Sequence, residues 1–201
     1  MAKPIAANRR RLLEAAEKTT HRYGFGNTAI ADIAKQAGIP LGNVYYYFKT
    51  KDEIAESIVN LRVSRFRKLL EEFDKTDSPK QRLCAFVNVK MKNREELARH
   101  GCPVGTLCSE LRKLGGSAAE KSTVLFRTAL EWMERQFRAL GQGADSRLLA
   151  VHLLSATQGV SMLAHAFRDP GLIDMEATRL QERSEERRVG KECRSRWSPY
   201  H

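Results

Sequence analysis

Residues Thr28 to Lys51 read TAIADIAKQAGIPLGNVYYYFKTK, and the fold turns on this stretch. Ile30, Ile33, Ala34 and Ala37 fall at i, i+3, i+4 and i+7, the apolar stripe of one short helix. Thr28 is placed as its N-cap. Gly38 ends it, because glycine accepts the left-handed geometry beyond a helix C-terminus. Ile39-Pro40 makes a tight turn, and the missing N–H of Pro40 is harmless at a helix start. In the second short helix Val44 and Phe48 are four apart and turn inward with Ile39. Its outward face is then Leu41, Gly42, Asn43, Tyr45, Tyr46 and Tyr47. Two short helices joined by a glycine-containing turn predict a helix-turn-helix, with the second helix offered to a DNA major groove.

The outward residues suit that task chemically. The Asn43 amide matches the donor and acceptor pair of adenine. Gly42 lets backbone approach a duplex closely. Tyrosine hydroxyls reach phosphates while their rings pack on sugars or thymine methyls. Tyr45 and Tyr47 fit packing and contact equally; Tyr46 fits contact better. Lys51 begins the next helix, where its ammonium and the free N–H groups both attract phosphate. Thr50 caps that helix, with Glu53 three residues on to complete a capping box.

Outward from this segment, helical periodicity continues and no run alternates as a strand does. Asn8 to Tyr23 places Leu12, Leu13, Ala16, Thr20 and Tyr23 on one stripe, and Gly24 to Asn27 stops the helix. Further helices are expected from Thr50 to about residue 70, from Ser78 to about Arg99, and from Gly101-Cys102-Pro103 to near Gly115. Others run over Ser117 to Leu140, over Asp145 to Phe167, and from Leu172 to residue 182. The expectation is an all-α chain of about nine helices. It divides into a three-helix helix-turn-helix head over 1–70 and a helical body over 71–182.

Charge supports that division. The net charge is +11; residues 1–70 hold 13 Lys/Arg against 6 Asp/Glu, whereas 71–182 hold 16 against 15. A basic head on a neutral body is what a phosphate-facing surface needs. Other classes lose ground. No run of 18 apolar residues exists, so no bilayer span is expected, and the basic start lacks a signal-peptide core, which points to the cytoplasm. Cys84, Cys102, Cys108 and Cys193 lack C-x-x-C spacing, so neither a disulfide framework nor a metal site is expected. No Ser/His/Asp order, metal cluster or phosphate-cradling glycine loop marks a catalytic site, and no cofactor is implied. A helical protein–protein adaptor remains the rival reading. It accounts for the body but not for the basic head and its motif.

The head resembles the TetR/AcrR family of regulators, through Thr28, Ile33, Ala34, Ala37, Gly38, Ile39, Gly42, Tyr45, Tyr47, Phe48 and Lys51. The likeness is specific over 8–70; beyond that it rests on helix count and the GCPVGTL segment. Two departures remove hydroxyls that members often use: Ala29 stands where Ser or Thr is common, and Pro40 where Ser is. The resemblance implies a homodimeric repressor of a palindromic, double-stranded operator, controlled by a small effector. Its DNA contacts would come from Thr28, Leu41, Gly42, Asn43, Tyr45, Tyr46, Tyr47 and Lys51. Dimerisation would use Asp145 to Phe167 and the helix after it. The apolar face offered there is Leu148, Leu149, Leu153, Ala156, Val160, Leu163 and Phe167, with Gly159, Ser161 and Ala164 permitting close approach. A central core helix would read the same way.

Candidate effector-pocket residues are Phe86, Met91, Cys102, Leu107, Leu125, Trp132, Met133, Phe137 and Met162. Such residues at helical spacing are as often core, and nothing in them names a ligand beyond an apolar one. Cys102 precedes Pro103 at a helix start, where the dipole favours a thiolate. It reads either as an inert buried thiol or as an oxidant- or electrophile-sensing thiol acting with Cys108. Residues 183–201 lose the helical pattern and resemble a translated sequencing adapter; they are set apart from functional reasoning.

Overall fold

Helices account for all the regular structure of residues 2–186, which the computed structural model of the protein describes. In order they are α1 (Ala2–Tyr23), α2 (Ile30–Ala37), α3 (Leu41–Tyr47), α4 (Lys51–Asp74), α5 (Pro79–Lys92), α6 (Arg94–His100), α7 (Pro103–Leu114) and α8 (Ser117–Ala139). A 3-10 turn (Gly143–Asp145) then leads into α9 (Ser146–Phe167) and α10 (Gly171–Glu186). The single helix expected from Ser78 to about Arg99 is thus two. Asn93 leaves helical geometry at φ −109°, ψ 15°, and its side-chain amide donates to the Val89 carbonyl at 2.7 Å. An amide that bonds its own backbone competes with helix continuation. Helix α10 runs past residue 182; the rest of the set-apart tail, with Cys193 and Trp197, lies outside the described residues.

Helices α1 to α4 close around Leu12, Ala16, Ile33, Val44, Phe48, Ile54 and Ile58, all buried. Tyr23, expected on the α1 stripe, is exposed on the last turn of that helix. Leu107 and Leu111 of α7 and Ala118 and Ala119 of α8 belong to the same cluster. The head therefore has no core of its own apart from the body. Leu107, expected in a pocket, packs here instead.

A second core gathers α4, α5, α8, α9 and α10 around Trp132, whose indole N–H donates to Asp74 Oδ1 at 2.9 Å. Phe73 and Phe86 flank it with ring centroids at 6.0 and 6.2 Å. A third, smaller cluster joins Leu97 and Ala98 of α6 to Cys102, Ala164 and Ile173. Among the described residues, every buried side-chain nitrogen or oxygen has a hydrogen-bond partner.

Helix α9 departs from expectation in two ways. The segment Gly143–Phe167 is apolar and long enough to cross a membrane, with mean hydropathy 1.2 over 18 residues, although it holds no unbroken apolar run of that length. Ala, Ser, Thr and Gly between the leucines sustain the average. In this fold the helix packs against α6, α8 and α10. The apolar face is also divided: Leu153, Ser161 and Ala164 are buried within the protomer, whereas Leu148, Val151, Met162, Leu163 and Phe167 are exposed. Met175 of α10 is exposed too.

Candidate nucleic-acid interface and the cavity behind it

The turn between α2 and α3 is held from both sides. Gly38 sits at φ 63°, ψ 39°, the left-handed conformation a side chain would oppose. Arg11 of α1 donates to the Ala37 carbonyl at 2.7 Å. Behind α3, Val44 and Phe48 are fully buried, and the Arg9 guanidinium lies 4.9 Å over the Phe48 ring. With its back fixed this way, α3 presents Leu41, Gly42, Asn43, Tyr45 and Tyr46 to the outside. Tyr46 is 65% exposed, and nothing lies within 4 Å of where a Gly42 side chain would be. Tyr47 packs half-buried against the core, with its ring edge-on to Tyr46 at 5.1 Å. Lys49 donates to the Tyr45 carbonyl at 2.8 Å and so satisfies one of the carbonyls left open as α3 ends.

Thr28 is not on this surface. It is 1% exposed, and its hydroxyl donates back to the Gly24 carbonyl at 2.7 Å, bracing the α1–α2 loop. The N-cap position belongs to Ala29, whose N–H donates to Asp32 Oδ2 at 2.9 Å. Thr50 does cap α4, accepting from the Glu53 N–H at 3.1 Å. The Glu53 carboxylate reaches one residue further than expected, to the Lys49 N–H at 2.7 Å. Lys51 holds its ammonium 4.8 Å over the Phe25 ring and donates to the Gly26 carbonyl at 3.2 Å, so it stands beside α3 at the mouth of the same loop.

The head is joined to the body by polar contacts. Glu110 of α7 accepts from the Gly26 N–H at 2.9 Å. Arg62 of α4 is buried; its Nε lies 3.2 Å from Glu17 Oε1 of α1, and its Nη1 donates to the Pro103 carbonyl. Burial pushes the Arg62 pKa down, with Glu17 opposing. His21 of α1 donates through Nε2 to the Gly101 carbonyl at 3.0 Å and meets the His100 ring edge-on at 5.7 Å. Burial holds both histidines below their ordinary pKa, which keeps them neutral near pH 7. Gly101 allows the contact because its φ of 76° turns the chain sharply before α7.

Behind this junction lies a cavity of about 300 Å³. Its walls are largely apolar, from Phe66, Leu69, Phe86, Val89, Leu97, Val104, Leu125 and Phe126 among others. Of the candidates from the sequence, Phe86, Cys102 and Leu125 line it. Trp132 and Met133 instead fill the second core, and Met91 and Phe137 pack on its edge. Met162 points outward at 68% exposure. The polar lining, His21, Lys90, Asn93, Glu96 and Gln158, escaped sequence reasoning. A signal existed: Phe86, Lys90 and Asn93 fall at i, i+4 and i+7 and share one face of a helix.

Cys102 caps α7. Its Sγ accepts from the Gly105 N–H at 3.4 Å and lies 3.5 Å from Lys90 Nζ. Burial pushes its pKa up, but the Lys90 ammonium and the Gly105 and Val104 N–H groups outweigh that and bring it below the ordinary thiol value. Cys108 is the opposite case: burial raises its pKa, and its thiol donates to the Ser122 carbonyl at 3.3 Å. Helical rise sets Cα atoms six residues apart at roughly 9 Å. A disulfide needs under about 7 Å, so pairing of Cys102 with Cys108 would require α7 to unwind.

The sequence model described as "Bacterial regulatory proteins, tetR family" matches residues 12–58, which hold the second half of α1, all of α2 and α3, and the start of α4. Among curated proteins, a helix-turn-helix transcriptional regulator from the lacX 3' region of Lactococcus lactis is 25% identical over 169 residues, 82% of this chain and 86% of its own length. A TetR-family regulator structure from Agrobacterium tumefaciens superposes with a TM-score of 0.80 at 20% identity, covering 89% of this chain and 97% of that one. The Bacillus subtilis regulator FadR, solved with stearoyl-CoA, gives 0.68 at 20% identity, covering 87% and 96%. The surface of α3, the matched motif and the shared fold agree: the chain carries the DNA-binding head of the tetR family over residues 12–58 and is a DNA-binding transcriptional regulator.

Proposed function

We propose that this regulator is a ligand-responsive repressor that binds a palindromic operator as a homodimer in the cytoplasm. The observation that carries the reading is α3, pinned from behind by Val44 and Phe48 while Leu41, Asn43, Tyr45 and Tyr46 face outward. Asn43 would read a base edge, Gly42 would bring backbone to the duplex, and the tyrosines and Lys51 would hold phosphates. Thr28 and Tyr47 support this surface from within.

A second copy of the chain is the partner that the body fits. Leu148, Val151, Met162, Leu163, Phe167 and Met175 are large apolar side chains left exposed on α9 and α10, which a second protomer would cover. Pairing through α9 and α10 would set two α3 helices about 34 Å apart or a multiple of it, matching half-sites one or more helical turns apart. The cavity is the effector site in this reading, supported by its apolar walls and by the acyl-CoA found with FadR. Its occupancy would bias the spacing of the heads by typically 1–3 kcal/mol.

Selection of bound duplexes from a random pool tests the reading. An enriched inverted repeat, bound with affinity that falls steeply as salt rises, is the expected result. Failure to enrich any sequence overturns it.

A further inference from the structure

One nucleophile and one cation meet at the wall of the cavity. Cys102 Sγ accepts from the Gly105 N–H and stands 3.5 Å from Lys90 Nζ. Among the described residues no ion pair joins Lys90 to a carboxylate, and its ammonium donates to the Cys102 sulfur. The other charged or titratable groups on the cavity wall are His21 from α1 and Glu96 from α6, with Arg62 of α4 bonded to Pro103 next door. A side chain at Gly105 would lie 2.9 Å from Gln158 Oε1 of α9, so Gln158 would have to swing aside.

We propose that Cys102 is a covalent sensor that adds to small apolar α,β-unsaturated carbonyl compounds, with Lys90 holding the carbonyl oxygen. The proposal rests on reading the cavity as the effector site. Three features select this class. Apolar walls favour an apolar molecule over a hydrophilic oxidant. Cys108 is out of reach as a resolving thiol, which disfavours a disulfide switch. An ammonium beside the sulfur is placed for an electrophile whose oxygen gains negative charge as the sulfur attacks.

The step balances without an oxidant or reductant. The thiol gives its proton to solvent, and the thiolate forms a C–S bond at the β-carbon. The C=C π pair shifts to the carbonyl oxygen as an enolate held by the Lys90 ammonium, and the α-carbon then takes a proton from water. One thiol has added across one double bond. The product thioether has no proton to lose, so Lys90 and the Gly105 N–H no longer face a sulfur that can become an anion. Both changes fall on the first turn of α7, the helix that holds Gly26 through Glu110 and Arg62 through Pro103.

The test uses the full chain, the duplex recovered by selection, 2-cyclohexen-1-one as probe and cyclohexanone as its unreactive analogue. Peptide mass spectrometry follows adduct formation at Cys102, Cys84 and Cys108 against pH. Cys102 is expected to react severalfold faster than either other cysteine at pH 7, since the Lys90 ammonium and the Gly105 N–H favour its thiolate. Lys90→Met is expected to move the pH–rate profile upward, and Lys90→Arg to restore part of it. The adduct is expected to weaken DNA binding at least fivefold, and Cys102→Ser to lose that response. Cys102 reacting no faster than Cys84, or an unmoved profile in Lys90→Met, overturns the proposal. So does an adduct that stays on DNA. Equal release by cyclohexanone defeats covalent sensing but leaves the cavity as a reversible effector site; a wild-type chain that enriches no duplex defeats the wider reading instead.

Discussion

Glu17→Ala tests how the head is fastened to the body. Arg62 keeps only 7% of its side chain exposed, and Glu17 lies 3.2 Å from its Nε. Without that carboxylate the guanidinium stays buried with the Pro103 carbonyl as its remaining acceptor. Breaking a buried pair from one side costs about 3–5 kcal/mol, because the surviving charge cannot recover its water. The Pro103 contact persists, which places the expected loss near the lower end, about 3 kcal/mol. Glu17 also meets Arg65, but that side chain is half exposed and contributes under about 1 kcal/mol. At 2–4 °C per kcal/mol for a chain of this size, the melting temperature should fall by roughly 6–12 °C.

The assay is thermal and urea unfolding followed by circular dichroism at one fixed protein concentration, since dimerisation would otherwise move the midpoint. Arg65→Ala should stay within about 1 kcal/mol of the parent. Adding Arg62→Met to Glu17→Ala should recover part of the loss, because it removes the stranded charge and leaves an apolar side chain of similar length. If Glu17→Ala behaves like Arg65→Ala, or if the double variant is less stable than Glu17→Ala alone, the buried-charge reasoning is wrong.

Four further outcomes are expected. Asn43→Ala should weaken binding to the selected duplex by about 1–3 kcal/mol and relax preference at one base position, whereas Lys51→Met should weaken all duplexes alike and lower the salt slope by about one, both read by titrations across salt concentrations. Because burial depresses the folded pKa of His21, stability should be complete above its unfolded value of about 6.5 and decline as pH falls below it; unfolding midpoints across pH 5–8 should show a shallower acid slope in His21→Gln. Phe167→Glu alters an exposed residue, 71% accessible, so light scattering should report a smaller assembly while helix content holds; an unchanged mass would remove α9 from the dimer face.

The head was legible because its signals are local. Ile33, Ala34 and Ala37, then Val44 and Phe48, repeat at helical spacing, and each short helix is closed by Gly38 or opened by Pro40. Even there the hydroxyl of Thr28 was misplaced, since its partner is the Gly24 carbonyl four residues back and only the folded loop reveals that. The body was less legible because large apolar residues carry no mark of which way they face. Trp132 and Met133 read like pocket residues, but their direction is set by α4, α5 and α9 packing from far along the chain. The polar lining of the cavity depends on where α5, α6 and α9 converge, a fact of tertiary structure that periodicity within one helix cannot contain. Cys102 stood out because capping is again local, while its ammonium neighbour twelve residues away did not.

Helix α7 touches both the cavity and the core behind α3. Its first turn, from Cys102 and Pro103, walls the cavity. Its middle, Leu107 and Leu111, is packed into the core that also holds Val44 and Phe48 behind α3. Glu110, between those leucines, grips the loop that leads into α2. A close-packed core does not deform smoothly, so a change at the first turn has two outcomes: absorption within that turn, or repacking of the leucines with a shift of the whole head. The second alone would alter the distance between paired α3 helices. Such a displacement need be only small, because an operator fixes its half-sites at set spacings on a stiff duplex and a pair of heads off register loses contacts on one side. The shared core would thus make the reading helix answer to the cavity with no flexible linker between them, and it leaves no clean seam between the basic head and the neutral body.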